Sequence, residues 1–294
     1  DIPVFFSECG IDAKRVTGTN KQMGKGGTPE QSEASAVMEL AERFSFFSFA
    51  NEEDNFFFAT PGELGEEALD YGQIIAMNRP VMGLLPDDES LQRIFSATGI
   101  SRDTHVVAYD DEGGGKAARL LWTLECAGHE RMSLLNGGLH AWANEGHPHN
   151  NTPVTPAIAD YTVDHNDTPC ADSRYIMQHL EDENVGLLDV RSAEEFSGLK
   201  RFAERGGHIP GAVNMDWTVA MDQQRNLRFK PDAELLQTLA DIGVTPEREI
   251  ITYCQTHHRS AHTYIVLRHL GFPKVRGYHG SWSDWGNNPD LPVE

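Results

Sequence analysis

The chain has 294 residues, enough for about two domains, and at 39% hydrophobic and 23% charged it has the composition of a globular protein with real cores. A formal net charge of −21 disfavours nonspecific binding to nucleic acid or to an acidic membrane surface, so an anionic substrate has to be drawn by a local positive site. Apolar runs stay far short of a membrane span and no secretory leader is visible; four cysteines without framework spacing (Cys9, Cys126, Cys170, Cys254) predict reduced thiols and a cytoplasmic setting.

Position 1 is aspartate, which reads as a trimmed start. Residues 1–76 are unlike the rest of the chain. Ile2 to Phe6 predicts a strand, and Lys21 to Gly27 a glycine-rich basic loop. Thr28-Pro29-Glu30-Gln31 then starts a helix, with Thr as the N-cap, Pro in the first position and Gln in the third. That helix is expected over about residues 29–49, with Ala34, Met38, Ala41 and Phe44 on one face and Glu39 and Glu42 sharing another. A glycine loop ahead of paired carboxylates suits a nucleotide and its magnesium, although the solvated face of a core helix explains the same residues. Met23 to Arg43, with Ser35-x3-Glu39-x2-Glu42-Arg43, resembles the N-terminal part of YcaO proteins. The resemblance implies an ATP–magnesium site in which Lys25, Glu39 and Glu42 are the candidates. The family's later acidic ligands have no counterpart here, so it implies a vestigial fragment, and no cofactor is expected.

From about residue 81 the sequence repeats internally. Gly99-Ile100-Ser101 parallels Gly243-Val244-Thr245, and Val106 to Asp110 parallels Ile250 to Cys254. Leu120 to Cys126 parallels Tyr264 to Leu270, and Asn136 to Trp142 parallels Tyr278 to Trp285. Each copy reads helix, strand, loop, helix, strand, Gly-Trp turn, which predicts parallel sheets covered on both faces. Residues 148–170, rich in Pro, Asn, Thr and Asp, read as a linker between the copies. The second copy opens with a helix at Ser173, a strand Val185 to Arg191 ending Asp-x-Arg, and a turn Gly207 to Asn214. Nothing before residue 81 matches these. A copy without its first strand shows sheet edge and apolar surface, which either the foreign helix covers or a rearranged reading frame explains; the latter is favoured, with the join near Ala76 to Pro80.

The chemistry concentrates at Ile250-Ile251-Thr252-Tyr253-Cys254-Gln255-Thr256-His257-His258-Arg259-Ser260. An apolar β-branched run ends at a cysteine, a polar loop follows, and Ala261 to Gly271 reads as a helix closed by glycine. Loop amides at a helix N-terminus favour an anion. That field, with Arg259 and with His257 or His258 when protonated, lowers a thiol pKa and makes Cys254 a candidate nucleophile. A structural cysteine or a Cys/His metal site are the bland alternatives, and zinc-finger spacing is lacking. Tyrosine-phosphatase loops carry one more residue between cysteine and arginine; the smaller ring here suits one extra sulfur atom better than a tetrahedral oxyanion.

The loop resembles that of rhodanese-type sulfurtransferases, most of all the bacterial thiosulfate enzymes with tandem domains. The resemblance implies an α/β fold of tandem rhodanese-like parallel-sheet domains, the first incomplete, preceded by an α+β YcaO-like fragment. The expected division is 1–76 fragment, 77–147 incomplete noncatalytic domain, 148–170 linker and 171–294 catalytic domain. It implies sulfane-sulfur transfer from thiosulfate or a related anion to cyanide or a thiol, through a persulfide on Cys254. Arg259 joins Cys254 as catalytic, offsetting charge at the loop or else bound to a carboxylate beneath it. Gln255, Thr256, His257, His258 and Ser260 are expected to bind substrate, with the two histidines offering N–H groups at the rim. Asp110 stands where the first copy needs a cysteine and cannot carry sulfur, so it is expected to shape its loop, while Arg191 braces the fold. The competing classes are a bifunctional ATP-dependent amide-activating enzyme fed by the sulfurtransferase half, and a noncatalytic binding module.

Overall fold

The computed structural model describes residues 85–148 and 156–294, together with the backbone of two strands near the start of the chain. The chain divides into two compact units, residues 1–69 and 70–294. In the first, strands β1 (Val4–Glu8) and β2 (Lys21–Lys25) pair antiparallel, with Phe5 opposite Gly24 and Phe6 opposite Met23. Lys21 to Lys25, expected as loop, is therefore strand. Main-chain pairing with β1 overrides the weak β-propensity of Lys and Gly. The helix expected over 29–49, with Glu39 and Glu42, lies outside the described residues.

The second unit begins its described part with α1 (Asp88–Ala97), β3 (Val106–Ala108), α2 (Gly115–Cys126), β4 (Met132–Leu134) and α3 (Gly138–Asn144). The Asp87 carboxylate caps α1 by accepting from Ser90 N at 2.8 Å, and Leu91, Ile94 and Phe95 share its buried face. β3 and β4 pair in parallel, Val106 opposite Met132. Among the described residues this sheet has two strands; Val107 of β3 is 54% exposed, and Tyr109 just beyond it is 60% exposed.

The chain then runs past Tyr161, which is buried among α1 and α2 residues, into β5 (Cys170–Ala171) and α4 (Ser173–Gln178). Cys170, expected as the last linker residue, thus opens a strand. β6 (Val185–Asp189), α5 (Ala193–Phe196), β7 (Val213–Asn214), β8 (Met221–Asp222), β9 (Arg228–Phe229) and α6 (Asp232–Asp241) follow. The last elements are β10 (Glu249–Tyr253), α7 (Arg259–His269), β11 (Val275–Tyr278) and α8 (Ser281–Trp285).

Five strands form one sheet in the order β5-β11-β10-β6-β7, and all its pairs are parallel. β10 lies at its centre with Ile250 to Tyr253 all buried, as a parallel strand covered on both faces requires. Alternation sends Ile250 into a core with Leu188, Leu239 and Leu267, and Ile251 into the opposite core with Leu187, Trp282 and Trp285. The first of these cores also takes Ala118, Trp122 and Cys126 from α2, which packs along α7.

Candidate active site

β10 delivers Cys254 to the carboxyl end of the central strand, and α7 begins five residues later at Arg259. The turn between them closes on the sulfur. His257 N donates to Cys254 Sγ at 3.1 Å, and the Ser260 hydroxyl donates to it at 3.4 Å. α8 holds the loop from outside: Trp282 N donates to Cys254 O at 2.9 Å, and Ser283 N and Oγ donate to Gln255 O at 3.0 and 2.6 Å. The Gln255 amide reaches Phe202 O and Ser283 Oγ. Cys254 is 1% exposed, so its sulfur sits at the bottom of this cradle.

Such a loop needs one residue in the left-handed region, and His257 supplies it at φ +64°. That conformation turns its N–H toward the sulfur and its ring inward. The imidazole is fully buried, edge-on to Trp122 at 4.4 Å, with Nδ1 at 2.7 Å from Ser260 Oγ. Gly277 on β11 makes room for it, since a Cβ there would stand 2.3 Å from the His257 ring. The expectation of a rim N–H donor is corrected for this side chain: the backbone amide touches the sulfur, while the ring is core.

Burial opposes ionisation of Cys254. The Arg259 charge, hydrogen bonds from Ser260 and the Thr256 amide outweigh it, leaving the thiol below its ordinary value. Burial, then the nearby Arg119 charge, hold His257 well below the usual imidazole range and push His258 down as well. Neutral histidines lend no charge to the thiolate, contrary to the expectation that protonated ones help; the cation that does is Arg259.

Arg259 faces both Glu195 and Cys254. Its guanidinium binds Glu195 with two hydrogen bonds, at 2.7 and 2.9 Å, while its charge reaches Cys254. Burial raises Glu195, but Arg259 outweighs it and holds the carboxyl below its usual range. Glu195 is placed by a capping box with Ser192 at the start of α5. Arg191, 1% exposed, grips Asp189 and Gly207 O beneath the sheet end and stacks over Trp282, so it braces the fold.

Two contributions come from the segment that holds β3 and α2. Arg119 of α2 donates to Thr256 O at 3.3 Å and lies over Trp122, and burial lowers its pKa to about 10. Asp110 accepts from the amides of Glu112, Gly114 and Ala117, which folds its own loop as expected. The Ser192-x-x-Glu195 signature was open to sequence reading, whereas nothing local marks Arg119. A cavity of about 950 Å³ lined by Glu125, His129, Arg268 and their neighbours shares no residue with the Cys254 loop. Lys25 ends β2, and Glu39 and Glu42 are outside the described residues. Among the described residues no group of three or more His, Cys, Asp or Glu side chains is arranged to hold a metal, and no helix is long and apolar enough to cross a membrane.

The rhodanese-like domain family matches residues 173–288, and the YcaO cyclodehydratase family, described as ATP- and Mg2+-binding, matches residues 23–111. The latter match runs beyond residue 76 through α1 and β3. A thiosulfate sulfurtransferase of Azotobacter vinelandii is 45% identical over 215 residues, covering 73% of this chain and 79% of that protein. The Pseudomonas aeruginosa thiosulfate sulfurtransferase is 42% identical over the same shares. A sulfur carrier protein of Thermus thermophilus is 32% identical, covering 73% of this chain and 79% of its own. Among solved structures, an anaerobic ergothioneine biosynthesis enzyme from Chlorobium limicola, in complex with trimethyl histidine, superposes with a TM-score of 0.68 at 24% identity. That match covers 75% of this chain and 58% of the other, and it supports the fold alone. The sustained identity to bacterial sulfurtransferases, on a parallel-sheet fold with the matching domain, means that this chain belongs to the rhodanese-type thiosulfate sulfurtransferases, enzymes that move sulfur.

Proposed function

We propose that Cys254 carries sulfur by double displacement, from thiosulfate to cyanide or a cellular thiol. The Cys254 thiolate attacks the outer sulfur of thiosulfate, the S–S bond of the donor breaks, and sulfite leaves with the electron pair. The persulfide on Cys254 lies within the ring of amides from Gln255 to Ser260, with Arg259 offsetting its charge. Cyanide then attacks the outer sulfur, and thiocyanate leaves as the Cys254 thiolate returns. The observation that carries this reading is the hold on Cys254 Sγ by His257 N and Ser260 Oγ beside the Arg259 cation. Gln255, Thr256 and His258 complete the anion-binding loop. A closed cradle around a buried sulfur favours a small, slender donor over a bulky one.

The proposed division remains 1–76 YcaO-like fragment, 77–147 incomplete noncatalytic domain, 148–170 linker and 171–294 catalytic domain, the two rhodanese-like parts being a tandem duplication. The common element order α1-β3-α2-β4-α3 and α6-β10-α7-β11-α8 supports the duplication. Residues 1–76 contribute no nucleotide chemistry, because the acidic ligands that would face Glu39 and Glu42 have no counterpart in the sequence. Incubating the protein with thiosulfate and weighing it intact tests the reading. The expected result is a species heavier by one sulfur atom that cyanide reverts with release of thiocyanate; a mass unchanged by thiosulfate favours a noncatalytic binding module instead.

A further inference from the structure

Cys126 and Cys170 take no part in the chemistry at Cys254. Cys126 ends α2 in the noncatalytic copy, and Cys170 opens β5 at the edge of the catalytic sheet, 44 residues later. Their Sγ atoms are 2.9 Å apart. Both backbones are fixed where they stand. Cys126 O accepts from Asn166 N at 2.8 Å, and Cys170 is paired with Gly277 of β11 while its carbonyl accepts from Arg276 at 2.9 Å. One turn earlier on α2, the Trp122 indole donates to Pro169 O at 2.9 Å across the same seam.

Two thiols in contact inside a core often serve only as small apolar filler. This pair differs in that Cys126 is buried while Cys170 is half-buried, which makes Cys170 the member nearer solvent with the second sulfur already in contact with it. Burial and the contact with Cys170 push the Cys126 thiol up, which suits it to follow as the resolving thiol rather than to react first.

We propose that Cys126 and Cys170 are a peroxide-oxidisable pair that closes into a disulfide stapling α2 of the noncatalytic copy to strand β5 of the catalytic sheet. Cys170 sulfur attacks one oxygen of a hydroperoxide; the O–O bond breaks, giving a sulfenic acid and water or an alcohol. Cys126 sulfur then attacks that sulfenic sulfur, forming the S–S bond, and hydroxide leaves with the Cys126 proton as water. Two thiols are oxidised by two electrons and one hydroperoxide is reduced. Because α2 also carries Arg119 and Trp122 to the Cys254 loop, the staple fixes the helix that backs the active site.

The full chain with Cys254→Ser removes the competing active-site thiol and leaves Cys9, Cys126 and Cys170. Treated with a small excess of hydrogen peroxide, it is expected to lose two titratable thiols. A digest without reductant should give one linked peptide pair containing Cys126 and Cys170, and the melting temperature should rise by roughly 4–10 °C, reversed by dithiothreitol. Adding Cys170→Ser, a one-atom change at a half-buried position, should abolish both the link and the shift. The proposal is overturned if both sulfurs stay titratable, if Cys170 ends as sulfinic acid alone, if either cysteine links to Cys9, or if the link forms without a rise in melting temperature.

Discussion

The Arg259 guanidinium holds the Glu195 carboxylate with both arms, Nη1 to Oε2 at 2.7 Å and Nη2 to Oε1 at 2.9 Å, and so the cation that favours the Cys254 thiolate is oriented from a helix more than sixty positions earlier. Arg259→Gln removes the charge and leaves a 4%-exposed carboxylate without its partner. The expected cost is roughly 2–4 kcal/mol of stability, since breaking such a pair strands the buried partner. Persulfide formation should also slow, and its loss on acidification should begin at higher pH. The sign comes from the thiol: its pKa is lowered in the folded protein, so activity is present above that value and is lost as pH falls through it; removing Arg259 raises the value. A pH–rate profile that does not move to higher pH in Arg259→Gln contradicts the electrostatic role.

Glu195 itself has a lowered folded pKa, so its share of stability is complete above the unfolded value of about 4.3 and is lost as pH falls through the folded one. Glu195→Gln should therefore lower the melting temperature at neutral pH and flatten its decline between pH 5 and pH 3. Acid titrations of both proteins followed by circular dichroism check this; parallel curves speak against it.

Arg119 places a charge from α2 against Thr256 O. Arg119→Met keeps much of the stem packing over Trp122 but removes the donor. Loading from thiosulfate should fall roughly tenfold, the worth of one hydrogen bond from a charged donor. Single-turnover kinetics measure it, and an unchanged rate would make Arg119 a packing residue only.

The strand, loop and helix around Cys254 were legible because a β-branched run, a polar turn and a glycine-closed helix each carry local signals. What α7 buries was not. Ala261, His262, Thr263 and Tyr264 are all buried in succession, because one side packs on the sheet and the other on α2, and a helix covered this way shows little amphipathic pattern. The inward turn of His257 was hidden for a related reason: it depends on space left by Gly277 on a neighbouring strand and on a left-handed backbone. Cys126 and Cys170 looked unrelated at 44 residues' separation and meet only because α2 packs across to β5. Lys21 to Lys25 carries loop-like residues yet takes its structure from pairing with β1.

His257 tests the corrected view of the loop. His257→Asn retains the amide and tolerates the left-handed backbone, so sulfur transfer should persist, with stability lower by roughly 1–3 kcal/mol for the lost ring packing. Because burial keeps the imidazole neutral, the pH–rate profile between pH 5 and 8 should have the same shape in both proteins. Loss of a limb from that profile in His257→Asn would restore the ring to the chemistry.

The N-terminal segment gives an independent check. Glu39 and Glu42, expected on one helix and without later acidic counterparts in the sequence, would leave a triphosphate's charge poorly neutralised. Saturating Mg-ATP should leave the melting temperature unchanged, and Glu39→Gln with Glu42→Gln should leave sulfur transfer unchanged. A rise of several degrees that vanishes in the double variant would favour the bifunctional enzyme.

One sulfur atom, Cys254 Sγ, is expected to carry the transferred sulfur. Thiosulfate:cyanide turnover measured side by side for the unsubstituted chain, Cys254→Ser, Cys126→Ser and Cys170→Ser tests it most directly. The expected result is complete loss in Cys254→Ser alone, with the other two variants turning over; more than a few per cent of activity surviving in Cys254→Ser would contradict it.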